Sequence, residues 1–194
     1  NPDAVQIDYH APEEQRLLSV FDPVSSYRHH FRETNNSAEA SILLRWGKFS
    51  FKPELGWEYA NERIEYRQGS IDTMAVRHQH LFFPHLKVEY KFSPTSILEA
   101  NYGCMTTPPE LINTIAYVDK SDPLFIRRGN PFLLNTHEHK AELAYYGNFT
   151  NHEQSIMFSL QFNKYKNPVQ TTFFYDPATG VMQTSFANVR GGYD

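Results

Sequence analysis

The chain has 194 residues, a formal net charge of −4 and a pI near 6.1, which leaves no basic footprint for a nucleic-acid partner. Its apolar runs stop at about four residues, as in Ile115-Ala116-Tyr117-Val118, where a membrane-crossing helix needs ~20. A lone cysteine, Cys104, excludes an internal disulfide framework and a multi-cysteine metal site, and 12 Tyr with 15 Phe argue against disorder.

Periodicity of two dominates the order of residues. Residues 1–24 carry no diagnostic pattern, and the strand-rich part spans 25–194. Ala38, Ala40, Ile42, Leu44 and Trp46 alternate with Ser37, Glu39, Ser41 and Arg45. After Gly47-Lys48, which suits a tight hairpin turn, Phe49, Phe51, Pro53, Leu55, Trp57 and Tyr59 alternate with Ser50, Lys52, Glu54, Gly56 and Glu58. Leu86, Val88, Tyr90 and Phe92 oppose Lys87, Glu89 and Lys91; Ser93-Pro94-Thr95 then turns the chain back. Ala141, Leu143, Tyr145 and Phe149 oppose Lys140, Glu142, Ala144 and Asn148, and the polar run 150–153 leads to Ile156, Phe158, Leu160 and Phe162. Each segment reads as a strand with one apolar and one hydrophilic face. The pattern predicts an all-β fold, an antiparallel up-and-down meander of about eight long strands. Short turns alternate with longer breaks, predicted at Gln68–Arg77, Thr107–Thr136 and Asp176–Gly180.

Alternation does not say whether the apolar face meets a core or lipid. A soluble β-barrel or β-sandwich binding module, perhaps for carbohydrate, is one solution. Three features favour a transmembrane β-barrel instead. The segments 49–67 and 78–92 exceed ordinary strands and match the ~9–11 residues of a tilted membrane strand with extension beyond it. Aromatics (Trp46, Phe49, Phe51, Tyr90, Phe92, Tyr145, Tyr146, Phe149) crowd the strand ends at the short turns, as in an interfacial girdle. The turns are short on one side and elaborated on the other, which makes 107–136 a long extracellular loop.

Four ordered elements then resemble the barrel of TonB-dependent outer-membrane receptors, in particular the Bacteroidetes-type outer membrane protein beta-barrel family. They are Phe82-Phe83-Pro84-His85-Leu86-Lys87-Val88-Glu89-Tyr90-Lys91-Phe92; the returning strand 96–102; Ser121-Asp122-Pro123 followed by Arg128-Gly129-Asn130-Pro131; and Glu142-Leu143-Ala144-Tyr145. Two places depart from the family pattern: Thr106-Thr107-Pro108-Pro109-Glu110 stands for an Arg-Pro, and Phe132-Leu133-Leu134-Asn135-Thr136 for Leu-x-Pro-Glu. The resemblance implies a nutrient importer in the outer membrane of a Gram-negative bacterium, a plugged barrel of about 22 strands driven through TonB. On that reading 1–194 is one partial barrel domain, an internal fragment. Its implied partners are the TonB complex, acting through a plug region outside this segment, outer-membrane lipids, and a surface lipoprotein where the receptor carries one.

Recognition is expected in the long loop, where Tyr117, Phe125, Arg127 and Arg128 are the candidate ligand-binding residues. The apolar loop residues Leu111, Ile112, Ile115 and Tyr117 have an equally good alternative role, folding the loop onto itself. His78 with His80, and His137 with Glu138 and His139, are metal-competent in type, but nothing in the sequence brings them together; they read as solvated strand-end residues, and no metal or cofactor is expected. Charged residues such as Glu54, Glu58, Lys87, Glu89, Lys140 and Glu142 face water on the polar side. No nucleophile elbow, phosphate loop or His-Glu-x-x-His motif occurs, so an enzyme is not expected.

Overall fold

The computed structural model describes residues 6–10, 17–21, 26–68, 71–122, 124–149 and 154–189. Pro123 of the loop motif, the turn at 150–153 and the segment 190–194 lie outside the described residues. The strands are β1 (Gln6–His10), β2 (Leu17–Phe21), β3 (Tyr27–Ser41), β4 (Leu44–Trp46), β5 (Phe49–Gln68), β6 (Ile71–Ser93), β7 (Ser96–Thr107), β8 (Val118–Asp122), β9 (Phe125–Arg128), β10 (Thr136–Phe149), β11 (Gln154–Lys166), β12 (Val169–Asp176) and β13 (Val181–Asn188), with one 3-10 turn at Leu111–Thr114. β1 and β2 form a hairpin of their own.

An open antiparallel wall in the order β11-β10-β7-β6-β5-β3 dominates, with β4 also on β5. β3 and β4 are one strand interrupted opposite Pro53, whose carbonyl accepts from Ile42 N–H at 3.2 Å. Proline has no donor to return on that same side, so the ladder breaks there. Hydrogen bonding alternates sides along a strand, so Pro84 on β6 lacks its donor on the side of β7. The β6–β7 ladder accordingly ends at His85–Gly103, and the two strands part above it. At the turn before β5, Gly47 takes φ 57°, a left-handed conformation that glycine adopts at little cost.

Cross-strand register sorts the side chains. Leu55, Trp57 and Tyr59 stand opposite Pro84, Phe82 and His80; Leu143 stands opposite both Ala100 and Leu160, and Ala141 opposite Phe162. All lie on one apolar face, and this face is uncovered: Phe158, Leu160 and Phe162 are 53%, 56% and 56% exposed. At ~3.4 Å per residue and a tilt of ~45°, the run Phe49–Tyr59 spans about 24 Å, against the ~25 Å apolar band of an outer-membrane barrel. Toward the loop side the same face turns polar on strand after strand: Asn61, Arg63 and Arg67 on β5, His80 and His78 on β6, His139 and His137 on β10, Lys164 and Lys166 on β11. The opposite face is polar and cross-linked by ions, with Lys52–Glu54 at 3.2 Å and Lys87–Glu99 at 2.8 Å.

Three details differ from the sequence-based expectation. The break predicted at Gln68–Arg77 is strand: β5 runs to Gln68 and β6 starts at Ile71, with Arg67–Asp72 paired at 3.1 Å. Polar composition there marks a hairpin standing above the apolar band, not a loop. Asp176–Gly180 is a tight turn, closed by Gly180 at φ 70° and by Asp176 accepting from the Ala178 N–H and Thr179 hydroxyl. The meander holds through β11, but β12 and β13 leave the wall at Asn167 (φ 55°) and Pro168. They form a second sheet, β12-β13-β9-β8, in which β13 and β9 are parallel.

A charge on the uncovered apolar face should block assembly. Leu143→Arg should cost about 2–4 kcal/mol in a membrane barrel and abolish the heat-modifiable band on gels, whereas Gln161→Arg on the polar face should assemble. Equal assembly of the two variants would contradict this assignment of faces.

Candidate functional site

The long loop folds inward onto the polar face of the β5–β6 hairpin. Leu111, Ile115 and Tyr117 pack with Ile64 and Tyr66 of β5 into the main buried cluster, flanked by Tyr27, Ala75 and Ile112. A polar seam extends it: the Tyr66 hydroxyl donates to Gln68 Oε1 at 2.7 Å, and Gln68 Nε2 donates to Asp119 Oδ1 of β8 at 2.9 Å. Burial pushes the phenols of Tyr66 and Tyr117 above the ordinary value, that of Tyr66 well above it. The Asp119 carboxylate adds to the shift at both, and Arg127 works against it.

Buried Asn113 is the hub of the loop. Its Oδ1 accepts from Arg127 at 3.0 Å, its carbonyl from Asn130 N–H at 2.7 Å, and its Nδ2 donates to Glu110 at 3.2 Å. The tripeptide Gly129-Asn130-Pro131 acts as a staple. A Cβ on Gly129 would collide with the Ile115 carbonyl oxygen and press on the Tyr117 ring, so only glycine fits. Asn130 donates from Nδ2 to the Phe186 carbonyl at 2.7 Å and accepts the Phe132 N–H at 2.9 Å, tying the loop to β13. Asn188 does the same for Leu134, accepting its N–H at 2.7 Å.

The ridge Pro108–Glu110 divides two clefts on the polar side. The first, about 470 Å³, lies against the wall and is lined by Phe31, Glu58, Leu81 and Ile112, with the Glu62–Arg77 pair at its side. That pair is bidentate, at 2.6 and 2.9 Å, and little exposed, which makes it a rigid element. The second, about 650 Å³, lies between the ridge and the β12–β13 hairpin, with Arg127, Tyr165 and Phe186 in its lining. A third space, about 640 Å³, fills the parting of β6 from the rest of the wall, where Asn135 Nδ2 donates to Gln79 Oε1 at 2.9 Å. Mixed apolar and carboxylate or guanidinium linings suit reversible capture of a ligand with an apolar body and polar substituents.

The four predicted residues have different placements. Tyr117 is buried in the loop core, where it sets the shape of the loop. Arg127 faces the second cleft, held by Asn113 and lying 5.2 Å from the Phe186 ring centre. Phe125 is exposed on β9 opposite Met182, and Arg128 is exposed opposite Val118. The histidine pairs stay apart, on β6 and β10 with β7 between. Each Nδ1 is engaged within its own neighbourhood: Trp57 Nε1–H donates to His80 at 3.2 Å, and Tyr59, Tyr102 and Thr106 hydroxyls meet His78, His139 and His137 at 3.2, 2.9 and 2.9 Å. Among the described residues no cluster of three or more metal-ligating side chains forms. Sequence reading missed Glu58, Glu62, Arg77 and Leu81 as cleft residues. The signal for Glu58 and Glu62 was present in the alternation of β5, which continues past Tyr59 with Ala60, Glu62, Ile64 and Tyr66 on the polar-face register; Arg77 and Leu81 of β6 join them only through the β5–β6 register.

An uncovered apolar band, a polar inner face, and loops elaborated at one rim and folded over that inner face define a transmembrane β-barrel wall. The chain belongs to the Outer membrane protein beta-barrel family, whose sequence model matches residues 6–193. This membership places it in the Gram-negative outer membrane and sets aside the soluble-module alternative. No curated protein matches the chain.

Gly129→Ala should weaken docking of the loop by about 1–3 kcal/mol, read as faster limited proteolysis within 107–136 while the barrel still assembles. The raised phenols predict a pH effect. Because the docked loop favours the protonated form of both, its stability is full below the ordinary phenol value of about 10 and is lost as pH rises through the raised values. Phenolate absorbance should show Tyr66 and Tyr117 still protonated at pH ~10, and loop proteolysis should quicken at the higher pH where they ionise.

Proposed function

We propose that this chain supplies wall and outer loops to a TonB-dependent outer-membrane receptor that imports a nutrient. The observation that carries this reading is the inward fold of the long loop. A ligand arriving from outside meets clefts built between Pro108–Glu110, the wall and the β12–β13 hairpin, directly over the polar interior. Such clefts over the interior suit a receptor that captures a scarce ligand before gated passage. The ordered motifs from Phe82 to Tyr145 support the same reading by resemblance. Arg127, with Phe125 and Arg128 nearby on β9, is the loop's contribution to the ligand, and Glu58 and Leu81 are the wall's. The role is binding and transport, without catalysis; the energy comes from the TonB complex through a plug region, and a surface lipoprotein is compatible with the exposed loops.

The test compares growth of the native host on single scarce sources (glycans, peptides, iron chelates) after deleting this gene or disabling the inner-membrane energising complex. Both strains should fail on one shared source, and Arg127→Ala should impair uptake of that source about tenfold or more with normal barrel assembly. Normal growth of the deletion strain on every source that the energy-deficient strain cannot use would overturn the import reading.

A further inference from the structure

The apolar face is not uniform. Ala100 on β7 and Ala141 on β10 sit among larger neighbours and leave a shallow trough of about 560 Å³, walled by Tyr102, Leu143, Leu160 and Phe162. Leu86, Tyr102, Ala141 and Phe162 form one row across β6, β7, β10 and β11, and Val88, Ala100, Leu143 and Leu160 the next, so the trough crosses the strands. Its exposed lining is almost wholly apolar, which suits an acyl chain.

Along the loop-side edge of this trough, on β10 and β11, the charge changes. The register puts His139 opposite Lys164 and His137 opposite Lys166 on the same face, with Cβ atoms ~4.5–5.5 Å apart in such pairs. Both lysines are exposed, and among the described residues neither has a carboxylate within ion-pair distance. Arg63 and Arg67 on β5 differ, being bound by Glu65 at 2.6 Å and Asp72 at 3.1 Å. The two imidazoles are oriented through Nδ1 by the Tyr102 and Thr106 hydroxyls, each at 2.9 Å. Ammonium groups donate only, so Lys164 and Lys166 require an acceptor that no carboxylate of the described residues supplies.

A cationic cluster bordering an apolar trough has the arrangement of a head group and a tail. We propose that this part of the wall is a binding site for an anionic, phosphate-bearing lipid of the outer leaflet. An acyl chain lies in the trough over Ala100 and Ala141, and the phosphate is held by Lys164, Lys166 and His139. Exposed lysines hold a free phosphate poorly in water; the trough is what makes a lipid the occupant. The proposal rests on the outward assignment of the apolar face and is independent of the import reading.

The experiment uses the full-length protein in neutral detergent, titrated with bisphosphorylated lipid A and followed by native mass spectrometry. Heat-modifiable migration confirms assembly of each variant. Wild type should retain the lipid. Lys164→Ala with Lys166→Ala, and separately Ala141→Phe, should each weaken retention at least tenfold, and dephosphorylated lipid A should bind as weakly. Should either variant fail to assemble, Lys164→Gln with Lys166→Gln and Ala100→Leu replace them under the same criterion. Retention unchanged by loss of the lysines or by filling the trough overturns the site. Displacement of the lipid by inorganic phosphate alone would show a free-anion site instead and would equally overturn the proposal.

Discussion

Backbone hydrogen bonding is the constraint from which the rest follows. In hydrocarbon an unpaired N–H or C=O costs several kcal/mol, so strands there must pair with their neighbours. From β3 to β11 neighbouring strands are antiparallel, with breaks where Pro53 and Pro84 withhold a donor, and the two faces so created are sorted by the period of two. Prolines mark where the wall is allowed to change. Pro53 divides β3 from β4, and Pro84 ends the β6–β7 ladder at His85–Gly103, so the β3–β5–β6 part of the wall continues toward the loop side without β7. The space released by that parting is what the long loop enters.

The loop then behaves as a small hydrophobic domain borrowed from the wall. Leu111, Ile115 and Tyr117 have no core of their own and find one on Ile64 and Tyr66, the inward residues of a hairpin that extends past the membrane. The distinctive Gly-Asn-Pro is explained by packing: glycine because the Ile115 carbonyl leaves no room for a Cβ, asparagine because its side chain reaches the β13 carbonyl while its N–H reaches Asn113. The motif builds the shape of the mouth, and the clefts on either side of Pro108–Glu110 are its consequence. Arg127 gains its orientation from the same network.

The outer surface shows a second pattern of positioning. Four histidines lie where the apolar run of their strand ends, and each has Nδ1 hydrogen-bonded to an indole or hydroxyl of the adjacent strand. Aromatic rings with a polar edge prefer this level, and a hydrogen bond to a neighbouring imidazole spares that edge from hydrocarbon. The spacing that suggested metal ligation is thus accounted for by strand parity and by the boundary between two solvents.

Period-two alternation is a local property, and the sequence by itself determined the all-β class, the antiparallel wall, the hairpin at Gly47-Lys48 and the two faces. Strand identity was lost at 68–77, where apolar and polar residues mix on both faces (Asp72 with Met74 and Val76, Thr73 with Ala75 and Arg77), because above the membrane band neither face must be apolar. The loop's location was legible from its length and composition, yet its direction of folding was not. Tyr117 reads equally well as a ligand contact or a core residue until Ile64 and Tyr66 are seen beneath it. Glu62 and Arg77 lie far apart along the chain and become a bidentate pair only through the β5–β6 register. The histidine pairs needed the sheet order, which puts β7 between them. Tertiary structure decided these matters because each depends on which distant strand supplies the neighbour, and a residue's own sequence context carries no record of that.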